Sequence, residues 1–323
     1  IPLKKINYEE IKKVILNNSI KTFHKIKKII ASKGYTEVVT WSFMDENKAK
    51  IISDETIGLK NPISSDLNTM RPSTFPNLLE AINQNKARMY TRAKIFEVGP
   101  NFSQSLNDHQ ENVASAIAYG SIDEENWQSS ENKNNVYSVK ADLFTILNNL
   151  NVPTENLLYD KNDGNIYHPG KSSILRLGKN IIAKFGELHP ILLKTMDVNI
   201  KVYGFEIYLD NISQFQENKS FSRGGFTNNP YQMVERDFAF LFPNGIEANE
   251  IIKKVKKIDK NIINKVTIFD VYEGDKLPKN TKSIAIRVLL EPQDKTFKDE
   301  DIEKLSQDII DQVSKSFDAV IRK

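Results

Sequence analysis

Ser283-Ile-Ala-Ile-Arg-Val-Leu-Leu290 alternates apolar side chains with small or polar ones, the pattern of a strand that buries one face. The surrounding segments predict two more strands, two helices and a short closing strand, at 236–242, 265–272, 247–258, 299–313 and 317–321. Their order along the chain is β-α-β-β-α-β. This order predicts a ferredoxin-like module, in which two helices cover one face of an antiparallel sheet.

The other face of this sheet is predicted to stay open. It would carry only small or polar side chains, namely Asp237, Ala239, Ser283, Ala285 and Arg287. Tyr272 is predicted at its edge, where its ring offers a stacking surface. The turn that follows, Glu273-Gly-Asp-Lys-Leu-Pro278, has the glycine and proline of a chain reversal. The sequence therefore predicts a flat surface for a flat partner.

Composition excludes several classes of protein. The 45 basic residues nearly balance the 42 acidic ones, so the net charge of +3 does not by itself argue for nucleic acid. The lack of cysteine excludes disulfides and thiolate chemistry, and agrees with a reducing cytoplasm. No apolar run is long enough to span a membrane. Because the chain begins at Ile1 rather than Met, we expect a piece of a longer protein.

The first two thirds of the chain mix strands and helices without strict alternation, which predicts an α+β domain with an antiparallel sheet. Val39, Trp41 and Phe43 suggest a strand, and Pro76 opens a helix that extends to Met89. Ser173 to Leu177 and Ile181 to Phe185 read as a hairpin that Pro169-Gly170 enters by a turn. A polar stretch then predicts a linker, so the domains are expected at 1–215 and 230–323, with the linker at 216–229.

Five motifs occur in the order of a known family. They are Asn61-Pro-Ile-Ser-Ser-Asp-Leu-Asn-Thr-Met-Arg-Pro-Ser73, Ile95-Phe-Glu-Val-Gly-Pro100, His168-Pro-Gly-Lys-Ser172, Gly186-Glu-Leu-His-Pro190 and Phe269-Asp-Val-Tyr-Glu-Gly274. Together they resemble the β subunit of bacterial phenylalanyl-tRNA synthetase. The resemblance implies a class II synthetase-like domain, followed by a ferredoxin-fold anticodon-binding domain at the C-terminal end of that subunit. The editing domain of the family has no counterpart here.

The resemblance also implies an activity and partners. The family enzyme is an α2β2 assembly that uses ATP and Mg²⁺ to activate phenylalanine and attach it to its tRNA. We expect this chain to support the catalytic α subunit, to bind the anticodon region, and to bind neither ATP nor metal itself. Alone it should be inactive, because the segments at the second and third class II motifs lack the arginines that clamp phosphate. Arg71, Arg88 and Arg92 keep a self-sufficient ligase open as an alternative.

Residue by residue, the resemblance places the anticodon-reading tyrosine at Tyr272, its neighbouring serine at Ser283 and a small residue at Ala239. Unpaired bases are usually recognised by stacking on aromatic rings and by hydrogen bonds to their edges. The basic residues expected to meet phosphates are Lys276, Lys279, Lys282 and Arg287. The opposing interpretations are a core-capping role for the tyrosine and an ordinary solvated surface for the lysines. A general single-strand RNA-binding protein stays open as a second alternative.

Other candidate sites are weaker. His168-Pro-Gly-Lys-Ser-Ser173 ends like a phosphate-binding loop, but its glycine spacing is wrong and a strand follows it rather than a helix. The four histidines, His24, His109, His168 and His189, show no metal-ligand spacing. Asp299-Glu-Asp301 begins a predicted helix, where the helix dipole explains the acidic residues. For Asp123-Glu-Glu125 the sequence suggests only a solvated loop.

Overall fold

A computed structural model of the chain describes residues 17–123, 126–127, 132–162, 164–216, 229–274 and 277–322. The chain divides into two compact units, Ile1–Phe221 and Ser222–Lys323, which we call unit 1 and unit 2. Each unit has its own hydrophobic core. The linker predicted at 216–229 falls almost wholly outside the described residues.

Unit 1 is built on a seven-stranded sheet. Its helices are α1 (Asn18–Ser32), α2 (Glu46–Ile52), α3 (Phe75–Ala87), α4 (Val136–Asn149), α5 (Pro190–Thr195) and α6 (Leu209–Gln216). Its strands are β1 (Thr36–Glu37), β2 (Phe43–Met44), β3 (Thr69–Met70), β4 (Ala93–Phe102), β5 (Gln110–Tyr119), β6 (Leu158–Asp160), β7 (Tyr167–Leu177), β8 (Asn180–Leu188) and β9 (Tyr203–Tyr208). The large sheet has the order β1-β4-β5-β9-β8-β7-β6, and β2 pairs with β3 separately. Every pairing in the large sheet is antiparallel except that of β1 with β4.

Both faces of the large sheet carry helices. On one face, α1, α4 and α6 bury an apolar stripe that includes Ile26, Leu143 and Ile212. On the opposite face, α3 and α5 bury Phe75, Leu79 and other side chains against the sheet. Helices on both sides of a sheet make a three-layer domain with two cores. We refer below to the α1/α4/α6 face and the α3 face.

Unit 2 has the predicted β-α-β-β-α-β order. Its elements are β10 (Val234–Pro243), α7 (Ala248–Ile258), β11 (Ile263–Tyr272), β12 (Thr281–Leu290), α8 (Asp299–Phe317) and β13 (Val320–Ile321). The strands form an antiparallel sheet in the order β11-β12-β10-β13. Ile251 and Val255 of α7 and Ile309 and Val313 of α8 are fully buried against one face.

Some predicted elements differ from the structure. Residues 39–42 are not a strand, and Val39 and Trp41 are exposed; only Phe43 and Met44 pair with a neighbour. Met89 lies outside α3, with a positive φ of 69° that no helix accommodates. The closing strand begins at Val320, because α8 continues to Phe317 and ends at Asp318 in the left-handed conformation. Pro169 and Gly170 lie within β7 rather than in a turn before it.

None of the helices in the part of the chain that the structure describes has both the length and the apolar character that a bilayer crossing requires.

Candidate nucleic-acid interface

The sheet of unit 2 buries one face and leaves the other open. Phe238, Phe240 and Phe242 of β10 are buried in the core with α7 and α8. The residues between them point to the opposite side, because side chains alternate along a strand. The register places Ala239 beside Ala285 and Asp237 beside Arg287 across β10 and β12. We call this side the open face; in the described residues no helix packs on it.

Tyr272 lies at one end of the open face. It is the last residue of β11 and is paired with Ser283 of β12. Its ring lies along Gly274, where an added Cβ would sit 2.7 Å from the tyrosine hydroxyl. The residue remains 37% exposed. A strand-end aromatic that capped the core would be covered, so the tyrosine ring is available to a partner.

Arg322 also lies on the open face, and the sequence did not point to it. Its backbone N–H donates to the carbonyl oxygen of Ala239 at 2.7 Å, which extends the pairing of β13 beyond Ile321. Its guanidinium donates to the Ser283 hydroxyl at 3.3 Å and lies 6.0 Å from the centre of the Tyr272 ring. Prediction stopped the last strand at Ile321. The alternation of that strand was too short to assign its next side chain to a face.

Arg287 is on the open face but is engaged there. Its guanidinium makes two hydrogen bonds of 2.8 Å to the two carboxylate oxygens of Asp237. These bonds lower the pKa of Asp237 and raise that of Arg287. The same guanidinium lies 5.2 Å from the centre of the Phe269 ring, at the bulge of β11. A phosphate would therefore have to compete with Asp237 for this arginine.

Lys282 does not belong to the open face. It pairs with Phe242, whose side chain is in the helix-covered core, and its ammonium group donates to the carbonyl oxygen of Ile246 at 2.8 Å. Because it precedes Ser283 by one residue, the strand period turns it to the opposite side. Lys279 is exposed in the turn before β12, and Lys276 lies outside the described residues.

The open face thus has a floor, a wall and polar groups. Ala239 and Ala285 form a flat floor, and the backbone beneath them is already paired within the sheet. Tyr272 supplies a ring, while Ser283 and Arg322 supply a hydroxyl and a guanidinium beside it. Rings for stacking and polar groups for base edges are what a single-stranded nucleic acid requires.

Unit 1 was tested as a place for ATP, starting with its arginines. Arg71 is only 1% exposed and its guanidinium is used internally. It forms an ion pair of 2.7 Å with Glu97 and donates to the Thr40 hydroxyl and the Pro100 carbonyl oxygen at 2.9 and 3.1 Å. Gly99 makes room for it, since a Cβ there would lie 2.8 Å from a guanidinium nitrogen. The motifs at 61–73 and 95–100 therefore meet in a buried structural pair.

A row of polar residues crosses the α3 face beside this pair. The register aligns Glu97, Ser115, Glu206 and Lys184 on four neighbouring strands. Ser73 and Thr74, just before α3, close over the row; their hydroxyls donate to Glu206 at 3.3 Å and to Ser115 at 2.5 Å. Burial raises the pKa of Glu206. At the end of the sheet, burial and the charge of Glu206 raise the pKa of Glu111 to about 7.

These residues do not fit a nucleotide triphosphate. A triphosphate needs exposed guanidinium or ammonium groups, whereas the row presents carboxylates and α3 covers the sheet next to it. Arg88 is exposed at the end of α3, Arg92 donates to the Ile122 carbonyl oxygen, and Arg176 is paired with Asp160. Within the described residues, none of these arginines joins the polar row. The family's ATP and Mg²⁺ are therefore assigned no residues here.

The histidines have local roles where the structure shows their partners. The His189 ring caps α5 by accepting the N–H of Ile191 at 3.1 Å, and the His168 ring accepts the N–H of Gly170 at 3.0 Å. Across the described residues, no cluster of three or more histidine, aspartate or glutamate side chains has the geometry of a metal site. Of the acidic triplet at 123–125, only Asp123 is described.

Comparison with known proteins follows the division into units. The family model for the phenylalanyl tRNA synthetase beta chain CLM domain matches residues 8–209, and that for the ferredoxin-fold anticodon binding domain matches residues 229–322. The phenylalanine--tRNA ligase beta subunit of Rhodospirillum rubrum is 37% identical over 98% of this chain, and that of Rickettsia prowazekii is 33% identical over 99%. The chain spans 40% of the length of each of these relatives.

The fold of a solved structure agrees. The crystal structure of pyrrolysyl-tRNA synthetase from Desulfitobacterium hafniense covers 65% of this chain, and 73% of its own chain is matched, with a TM-score of 0.50 and 14% identity. At that identity the likeness speaks for the fold alone. It confirms the predicted α+β, class II synthetase-like architecture, and the second family model confirms the ferredoxin-fold domain. The chain belongs to the phenylalanyl-tRNA synthetase beta-chain family.

Proposed function

We propose that this chain acts as part of the β subunit of a phenylalanine-tRNA ligase, and that the open face of unit 2 binds the anticodon region of the phenylalanine tRNA. The observation that carries the proposal is the open face itself, with Tyr272 exposed at its end. It lies in the segment matched by the anticodon-binding family model.

In the proposed complex an unpaired base stacks on Tyr272. Ser283 and Arg322 contact its edge or a neighbouring phosphate, and Ala239 allows close approach to the sheet. Each stacked base contributes about 1–3 kcal/mol to binding. Arg287 takes part only when the RNA displaces Asp237. Lys282 has no part in the contact, because its ammonium is bound to a carbonyl oxygen on the other face.

Catalysis is assigned to a separate α subunit in an α2β2 assembly. ATP, Mg²⁺ and phenylalanine are bound there, in agreement with the buried Arg71–Glu97 pair and the carboxylate row of unit 1. Val39 and Trp41 support an interface, since their side chains are 86% and 64% exposed after β1. Large obligate interfaces bury apolar groups of this kind. Such an assembly would act in the cytoplasm, where its tRNA is charged.

The test of the RNA contact is a comparison of two RNAs. The wild-type chain and the Tyr272→Ala variant are titrated with the phenylalanine tRNA and with the same tRNA carrying a scrambled anticodon. We expect the wild type to prefer the natural anticodon, and the variant to lose most of that preference. Tyr272→Phe keeps a ring and should keep the preference, while Val271→Ala removes a side chain from the next position and should have no effect. Equal binding of both RNAs by the wild type would instead favour a general single-strand RNA-binding protein.

The test of the assignment of catalysis is charging activity. The chain is mixed with phenylalanine, ATP and tRNA, with and without a co-expressed α-type subunit. We expect co-purification of the two proteins, and no charging by this chain alone. Charging without the partner would favour the self-sufficient ligase.

A further inference from the structure

Two of the sequence motifs meet at a cavity in unit 1 that the proposed function does not use. The cavity has a volume of about 480 Å³ and lies on the α1/α4/α6 face, where α4 begins. Ser172 of the first motif pairs with Gly186 of the second. A Cβ at Gly186 would lie 2.4 Å from the Cβ of Ser172, so glycine is required for this close approach. The contact places Lys171 and Glu187 side by side at the mouth of the cavity.

The cavity carries more positive than negative charge. Lys171 is paired with Glu187 at 3.1 Å, and this carboxylate is the only acidic group among the described lining residues. Lys140 and Lys201 also line the cavity. In the described part of the chain, neither has a carboxylate within ion-pair distance. Two ammonium groups are thus left without an acidic partner.

Lys140 is held in an unusual position for a lysine. Its ammonium nitrogen lies 4.8 Å from the centre of the Tyr159 ring, 5.5 Å from that of Phe144 and 5.9 Å from that of Phe185. Burial lowers its pKa, because the charged form has lost part of its hydration. An anion that entered the cavity would restore favourable interactions to this group.

The cavity also offers flat rings. Tyr137, Tyr159 and Tyr203 line it, and Tyr137 is 80% exposed at the start of α4. Tyrosine rings beside unpaired ammonium groups match a ligand that has both a planar base and a phosphate.

We infer that this cavity binds a phosphorylated nucleoside, with its phosphate near Lys140, Lys171 and Lys201 and its base against the tyrosine rings. The ligand is either a free mononucleotide or one nucleotide of an RNA strand. The second source rests on the proposed function, because it requires an RNA partner. The first source is independent of it.

The experiment measures protection of individual lysines. The full chain carrying Tyr272→Ala, which removes the stacking ring of unit 2, is acylated briefly at neutral pH and the modified lysines are quantified by mass spectrometry. The probes are AMP and a short single-stranded RNA. We expect Lys140 to react faster than exposed lysines, and AMP, the RNA or both to protect Lys140, Lys171 and Lys201 in a saturable way. Lys194 on α5 lies outside the cavity and should stay unprotected.

Variants test whether the charges cause the binding. Lys140→Gln and Lys201→Gln should each weaken binding of the protecting probe by about tenfold, since a charge-assisted contact to phosphate is lost. Lys194→Gln removes the same charge elsewhere in unit 1 and should leave binding unchanged. Lys201 is exposed, so its substitution tests the inference even if the Lys140 variant unfolds.

The outcomes separate the two proposals. Protection by AMP alone supports a free mononucleotide, and protection by RNA supports a strand. Protection by neither probe overturns the inference, as does equal weakening by Lys194→Gln. If the cavity binds a probe while Tyr272→Ala leaves anticodon preference unchanged, the proposed function fails and the cavity stands. If only the anticodon preference is seen, the reverse holds.

Discussion

Replacing Arg71 by methionine should destabilise unit 1 without affecting any nucleotide contact. The side chains of Arg71 and Glu97 are 1% and 5% exposed, so the variant leaves a buried carboxylate without its ion-pair partner. Breaking a buried pair from one side costs about 3–5 kcal/mol. Thr40 still donates to the remaining carboxylate at 2.6 Å, which favours the lower end of that range. For a unit of this size the midpoint of thermal unfolding should fall by about 10 °C.

Tryptophan fluorescence follows this change directly. The chain has two tryptophans, Trp41 and Trp127, and both lie in unit 1. The Trp41 carbonyl oxygen accepts hydrogen bonds from Arg71 and Asn77, so this tryptophan is close to the substitution. Arg88→Met removes the same charge at an exposed position and should leave the midpoint unchanged.

A double variant identifies the cause. Adding Glu97→Gln removes the uncompensated charge, and should recover about half or more of the lost stability, because an apolar or neutral replacement of a whole buried pair is often tolerated. If Arg71→Met leaves stability intact and instead lowers ATP binding to unit 1, the assignment of Arg71 to a structural pair is wrong.

Three other perturbations have definite outcomes. Glu111 has a pKa of about 7 in the folded state, above its value of 4.5 when unfolded, so it favours folding below pH 4.5 and this contribution is lost as the pH rises through 7. Glu111→Gln should therefore stabilise the chain by about 1–2 kcal/mol at pH 8, after allowance for its partial exposure, and by little at pH 5 in urea unfolding. Arg322→Ala should weaken tRNA binding by about tenfold in anisotropy titrations, whereas Arg236→Ala, an equal charge loss on β10 outside the open face, should not. Gly186→Ala should cost about 2 kcal/mol or more in thermal unfolding, because its Cβ would overlap the backbone at Lys171 and Ser172; an unchanged midpoint would contradict the close approach.

The fold of unit 2 could be predicted because its signals are local. The alternation around Ile284 and Ile286 and the helical spacing of Ile251 and Val255 each follow from one segment, and all are buried as expected. The residues at 39–42 failed for the opposite reason. Their apolar alternation resembles a strand, but β1 ends at Glu37 and no neighbour pairs with the exposed side chains.

The candidate site was less predictable, since its partners come from distant parts of the chain. The strand period placed Ser283 and Ala285 correctly on the open face, and would also have excluded Lys282. The period does not reveal that Arg287 is held by Asp237, or that the last strand carries Arg322 onto Ser283. Likewise, Arg71 in a motif suggested a phosphate clamp, and only its burial beside Glu97 identifies it as structural.

The central claim is that RNA lies on the open face, and alanine methyl signals test it most directly. Unit 2 has four alanines: Ala239 and Ala285 on the open face, Ala248 exposed at the start of α7 and Ala319 buried next to β13. The full chain, labelled at alanine methyls, is titrated with an RNA hairpin that carries the phenylalanine anticodon. The account predicts shifts or broadening at Ala239 and Ala285 with no change at Ala248. Changes at Ala248 alone, or saturating RNA binding that leaves Ala239 and Ala285 unperturbed, would contradict it.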